Sequence, residues 1–462
     1  MTILFMRTAI VLLLVSLTPA LASSQQRLSA QMQSAVDSIA EQSLRRGPIA
    51  GMSIAIARGS DLPMAKGYGY ADLKNDFATP VDTVYHLDSI TKNFTAAAVL
   101  QLADQGKLDL DDDIVKYVPE FSTQGHRVLI RDLLNHTSGI VNFSSVGPKF
   151  DAIERLDSSH QTILGLVQNE PFHFAPGEGW SYSNTGFYLL GMIIERVSGQ
   201  SYGDFMASHL FRPLDLKSTR YCGDSKATIK RRAPGYTTGP AGYAKAEPIS
   251  WVNAYSAGAI CSSALDLIKY QRALNIGRVL KEATLSAMRT PAKLTDGTII
   301  DYGMGTRLGN LSGHRIIGHT GNGAGYNNVL EYFPDDDLTV AVLMNTDGHL
   351  SALTVATQIA QLLLKLPKEA PVDLPLTAKQ IGDFSGSFQS DEQTTVVFER
   401  NGQLWAKPSA SKGDGFPAAY LGDDTFAPRE FMRVHFLYSQ GKVSWNTVYI
   451  GGMFMDASRK VK

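Results

Sequence analysis

Cysteine is nearly absent from this chain, neither sign of charge is in excess, and beyond the N-terminal segment no apolar run is long enough to cross a bilayer. Only Cys222 and Cys261 occur among 462 residues. Two thiols are compatible with one disulfide or with two buried free thiols, and composition does not choose between them. No His, Cys or Asp cluster stands at zinc spacing, so neither a metal nor a cofactor is expected. Lys and Arg number 43 against 44 Asp and Glu, a balance that attracts neither nucleic acid nor an anionic membrane. What remains is the composition of a globular protein, 44% hydrophobic and 19% charged, long enough for two or three domains.

The N-terminus carries a pattern of its own. Arg7 precedes an apolar run from Ala9 to Leu17, and Pro19-Ala20-Leu21-Ala22 then offers small residues before Ser23. This order reads as a secretory signal peptide over residues 1–22, which places the mature protein outside the cytoplasm, periplasmic or secreted. The alternative is an uncleaved anchor, but the run is short for a span. No cysteine follows it for a lipid attachment.

Ser29 to Arg45 spaces Met32, Val36, Ile39 and Ala40 as a helix does. Gly51 to Ala57 alternates like a strand and Gly67 to Tyr70 suits its hairpin partner. From Ser89 to Gln105 the period turns helical, with Gly106 as the stop. Leu189, Leu190, Ile193, Ile194 and Val197 form the stripe of a helix over Thr185–Ser198, closed by Gly199. Strands return at Arg315–His319, Asn327–Phe333 and Leu338–Met344, and a helix is expected over Ala352–Leu366. Strands at both ends with helices between predict an α/β sheet with a helical insertion over residues 23–366. Pro367, Pro371 and Pro375 mark a linker at 367–375. Residues 376–462, with short strands such as Thr394–Glu399 and Lys442–Ile450, read as a small all-β domain.

Three short motifs carry chemistry. Ser89 and Lys92 stand three apart at a helix start, so one face holds both and the amine can reach the hydroxyl it must activate. The helix N-terminus adds N–H groups where negative charge develops. The same spacing recurs at Ser409/Lys412 and Ser439/Lys442, so the pair alone says little. Tyr182-Ser183-Asn184 offers a phenol whose pKa a nearby ammonium lowers, and an amide suited to a substrate or to the lysine. A plain helix cap explains the same tripeptide, and Tyr326-Asn327-Asn328 repeats its form. His319-Thr320-Gly321 ends an apolar strand. Its glycine would let a substrate backbone approach the strand edge, and the N–H of Asn322 could join that of Ser89 in holding an oxyanion. A strand-ending turn is the plainer reading.

In this order the three motifs resemble the recognition set of penicillin-binding proteins and serine β-lactamases, in the branch of class C β-lactamases, D-specific peptidases and related esterases. Asp88-Ser-Ile-Thr-Lys-Asn-Phe-Thr95, Leu133-Leu-Asn-His-Thr-Ser-Gly139, Pro176-Gly-Glu-Gly-Trp-Ser-Tyr-Ser-Asn184 and Gly318-His-Thr-Gly-Asn322 all look like its segments, over about residues 34 to 365. The resemblance implies an antiparallel sheet flanked by helices and an acyl-enzyme on Ser89. Lys92 or Tyr182 would take the proton, and Asn184, His319, Thr320, Gly321 and Asn322 would bind substrate or oxyanion. It also suggests that Ser256 to Ser263 shapes the cleft floor, tied by a Cys222–Cys261 bond, and that the tail is similar to a lipocalin-like barrel appended to some members.

Two positions depart from the common pattern. His319 stands where β-lactamases commonly have lysine, which argues for a peptidase- or esterase-like enzyme over a strong β-lactamase, since histidine titrates near neutrality and holds a carboxylate less firmly. Asp88 precedes the nucleophile where glycine is frequent, and capping the helix is one role for it. His136 is read as a turn-builder, and Asp109 to Asp113 as a solvated loop. The expected substrate is a small D-amino-acid peptide, amide or ester. A β-lactamase and a non-catalytic penicillin-binding sensor or scaffold are the alternatives, and the oligomeric state is left open.

Overall fold

The computed structural model describes residues 27–223, 229–247, 249–348, 350–367, 372–390 and 393–461. The signal peptide expected over residues 1–22 and part of the 367–375 linker lie outside these.

The centre is a seven-stranded antiparallel sheet made from both ends of the first 350 or so residues. Its strands are β1 (Gly51–Arg58), β2 (Met64–Asp72), β3 (Phe77–Ala78), β4 (Arg307–Leu311), β5 (His314–Gly323), β6 (Tyr326–Phe333) and β7 (Leu338–Met344), in the order β4-β5-β6-β7-β1-β2-β3. Residue β1 side chains alternate between two cores. Met52, Ile54 and Ile56 face a layer formed with α1 (Ala30–Arg46) and Val355, Ala356 and Ile359 of a C-terminal helix, whereas Ala55 and Ala57 face the large helical layer. Burial on both faces is why the smaller residues that alternate with Met52, Ile54 and Ile56, namely Ser53, Ala55 and Ala57, are buried as well.

Local sequence sets the helix ends. Ser29 caps α1 by accepting from Met32 N–H, and Ser183 caps α3 (Asn184–Ser198) by accepting from Gly186 N–H, while Gly199 ends α3 at φ 70°. The helix near Ser89 begins later than its periodicity predicts. Asp88–Ile90 is a 3₁₀ turn and the α-helix proper, α2, runs Thr91–Asp104. The C-terminal helix α4 spans Ala352–Leu364, two residues short of expectation, because Lys365 turns left-handed at φ 56°. Among the described residues no helix is long and apolar enough to cross a membrane.

The tail is a closed barrel of eight antiparallel strands, from Gly386–Gln389 to Met453–Val461, with the first and last paired through Ser387 and Val461. Closure leaves the barrel no free edge. Phe384, Phe388, Phe426 and Phe436 fill it, and a helix at Ala378–Phe384, capped by Thr377 and Gln380, leads in. The barrel is seated on the main sheet: Met453 pairs with Gly309 of β4, and Trp445 and Phe454 pack with Trp180 and Tyr302. This contact brings its last strand to the edge of the cleft described next.

Candidate active site

Ser89 lies where two lobes of one cleft meet. The larger, about 510 Å³, is bordered by Trp180, Tyr182, Arg307, Thr320 and, from the barrel, Met455 to Ala457. The smaller, about 210 Å³, has Phe143, Phe150, Trp251 and Asp88 in its walls. Ser89, Ser144, Asn184 and Asn322 border both.

Lys92 is one helical turn from Ser89 and fully buried. Its Nζ stands 3.1 Å from Ser89 Oγ, 2.7 Å from Asn184 Oδ1 and 2.9 Å from the Ala257 carbonyl oxygen. Burial first, and then the charge of Arg307, push its pKa well below the lysine range, with Asp88 opposing. In the neutral amine two N–H groups satisfy Asn184 and Ala257, so the lone pair faces Ser89 Oγ–H. The Tyr182 ring lies 4.8 Å from the same Nζ. Ala257 reaches Lys92 because strand Ile260–Ser262, just beyond it, pairs with both Tyr85–His86 and Arg220–Tyr221. Cys222 and Cys261 form a disulfide across that ribbon.

Two histidines, His136 and His319, are linked through Tyr302 behind the cleft. Ser183 N–H donates to His136 Nδ1 at 3.1 Å, so the proton of His136 sits on Nε2, 3.2 Å from Tyr302 Oη. Tyr302 O–H then donates to His319 Nε2 at 3.1 Å, and His319 Nδ1–H to the Thr320 carbonyl at 2.6 Å. Each donor has an acceptor only if both imidazoles are neutral, and burial with the nearby Arg307 and Lys92 charges holds both pKa values well below the histidine range. His319 is 1% exposed and does not line the cleft. The expectation that its titration near neutrality governs carboxylate binding therefore gives way to a buried neutral linker. His136 does build a turn, at φ 64°, and its ring also packs 4.4 Å from that of Tyr182.

Arg307 is the cation that borders the cleft. Its guanidinium lies 5.4 Å from the Tyr182 ring, and Nη1 donates to the carbonyls of Phe454, at 3.0 Å, and Met455 in the barrel. These neutral oxygens orient the charge without cancelling it. Arg307 belongs to no sequence motif. Its place follows from pairing: Arg307 is opposite Gly318, next to His319, in the β4–β5 register.

Gly321 and Asp88 also take roles other than those expected. A Cβ on Gly321 would lie 2.0 Å from the Leu87 carbonyl oxygen, so the glycine serves close packing of β5 on the nucleophile turn. Asp88 caps nothing: Leu87 occupies the N-cap position, with no side-chain bond. Asp88 itself has φ 49°, a left-handed conformation that explains why glycine suits the position. Its carboxyl fills the space that a Gly323 side chain would need.

Residues 36–364 match the Beta-lactamase family model. The chain is 29% identical over 342 residues to a penicillin-binding protein of Bacillus subtilis (strain 168), covering 70% of this chain and 73% of that protein. It is similar in structure to the D-amino acid amidase of Ochrobactrum anthropi SV3 solved with L-phenylalanine amide, with 26% identity, 73% of this chain and 98% of that one covered, and a TM-score of 0.63. Across barrel and sheet together it shares the fold of an octameric penicillin-binding protein homologue from Pyrococcus abyssi, with 23% identity, 92% and 100% coverage, and a TM-score of 0.66.

Proposed function

The chain belongs to the β-lactamase family and is a serine hydrolase of that family; from this premise we propose that it acts outside the cytoplasm on D-amino-acid amides, peptides or small esters through an acyl-enzyme on Ser89. The single observation that carries the mechanism is the 3.1 Å approach of a buried Lys92 Nζ to Ser89 Oγ inside a cleft, with Asn184 and Ala257 engaging the other amine protons. Lys92 takes the hydroxyl proton as Ser89 attacks the carbonyl carbon. The N–H groups of Ser89 and Asn322 receive the oxyanion. The leaving amine or alcohol departs with a proton relayed from Lys92, Tyr182 standing beside it, and water then releases the acid. Asn184 and Thr320 shape the cleft around the substrate, Gly321 seats β5 on the nucleophile turn, and His319 positions that strand.

The substrate class is supported by the D-amino acid amidase likeness. The extracytoplasmic setting is supported by the Arg7–Ala22 pattern and by the Cys222–Cys261 disulfide. A second reading, β-lactamase activity, is favoured by Arg307, a permanent cation at the cleft where histidine alone would hold a penicillin carboxylate poorly.

Intact-mass spectrometry after exposure to D-amino-acid amides, D-alanyl peptides, short esters and penicillins tests both. The expected result is an acyl adduct on Ser89, absent in Ser89→Ala, with acylation slowed about 10² to 10⁴-fold in Lys92→Met. Turnover that survives Ser89→Ala would refute the mechanism. An adduct that clears fastest with penicillins would move the assignment to β-lactamase.

A further inference from the structure

The smaller lobe beside Ser89 has walls of Phe143, Phe150 and Trp251 and contains one buried acid, Asp88. Asp88 is 5% exposed, and its Oδ2 has no hydrogen-bond partner among the described residues. An acid so buried and so poorly paired costs stability, and it does not serve the helix as a cap. Its backbone adds to that cost, since a side chain is held at φ 49° where glycine would rest without strain. Glu154 borders the same lobe, half-buried. The opposite, more polar lobe is bordered by both Arg307 and Asp456, whereas no Lys, Arg or His borders the apolar lobe that holds Asp88.

We infer that Asp88 is the acceptor for a substrate ammonium group, so that the acyl donor enters the apolar lobe with a free α-amine against Asp88 and a nonpolar side chain among Phe143, Phe150 and Trp251. The inference rests on the hydrolase reading above and adds the chemistry of the acyl half. Burial raises the carboxyl pKa well above the ordinary carboxylate range, with Lys92 opposing. An arriving ammonium supplies the countercharge that desolvation removed, and a charge-assisted bond forms in a site with little competing water. An N-acylated donor has no such charge and would leave the acid as unpaired as before. Apolar walls around one buried acid suit an aromatic or aliphatic α-amino acid better than a polyamine or a sugar.

The test separates binding from turnover. Full-length Ser89→Ala protein is titrated calorimetrically with D-phenylalanine amide and with N-acetyl-D-phenylalanine amide. Adding Asp88→Asn is expected to weaken the amine by about tenfold or more while shifting the acetylated ligand by less than about threefold. Asp88→Gly, which suits the positive φ, should show the same split, so a folding defect in one variant does not decide the matter. Equal weakening of both ligands, no weakening of either, or failure of the Ser89→Ala protein to bind the amine would overturn the assignment. Hydrolysis by the unmutated enzyme is read separately: loss of all turnover there would refute the hydrolase reading, whereas the binding split speaks for Asp88 alone.

Discussion

Glu331, on β6, should make this protein less stable as pH rises, and its replacement by glutamine should remove the effect. The carboxyl is fully buried, and neither oxygen has a hydrogen-bond partner among the described residues. It lies across from Gly318 in the sheet, where the Met453 side chain of the barrel also packs. Burial raises its pKa from the ordinary 4.5 to about 8. An acid with a raised folded pKa binds more protons folded than unfolded between those values, so stability falls as pH climbs from about 4.5 to about 8 and is flat outside that window. At about 1.4 kcal/mol per pH unit, the cost is about 3 kcal/mol at pH 7 and about 5 kcal/mol above pH 8. Glu331→Gln retains the shape and the buried polar atoms but cannot ionise. Denaturant unfolding of both proteins at pH 5, 7 and 9 should show the variant's advantage grow by several kcal/mol. Parallel stability profiles would refute the reasoning, because they would mean that the carboxyl finds a partner or water in solution.

Gly321→Ala places a methyl group 2.0 Å from the Leu87 carbonyl oxygen, which forces β5 away from the nucleophile turn. A shift near 1 Å at the reacting groups should lower kcat/KM on any acyl donor by about 10²-fold, and wild-type kinetics would remove this account of the glycine. Arg307→Gln deletes a charge that holds the Lys92 pKa down. The acidic limb of kcat/KM against pH, which reports deprotonation of Lys92, should therefore move to higher pH. An unmoved limb would point to another base.

Much of the site was legible because its chemistry is local. A three-residue spacing on a helix necessarily brings Ser89 and Lys92 together, and Ser183 at a cap with Gly199 at a stop delimits α3 without reference to the rest of the chain. Residues that act through distant pairing were not legible. Arg307 has no motif, and only the β4–β5 register and two carbonyls from a strand about 150 residues later give it a place. His319 was visible as a residue but not as a buried link, because its hydrogen bonds depend on Tyr302 and, beyond it, His136.

The ends of most helices are properties of the sequence alone, since each depends on neighbours a few residues apart, and the nucleophile and its amine were legible there through three motifs in a fixed order. The lowered pKa of that amine, the placing of Asp88 and Arg307 on either side of Ser89 and the seating of the barrel at the cleft were decided only by the tertiary structure. Desolvation and Coulomb interactions depend on distances in space, and groups that are remote along the chain set them.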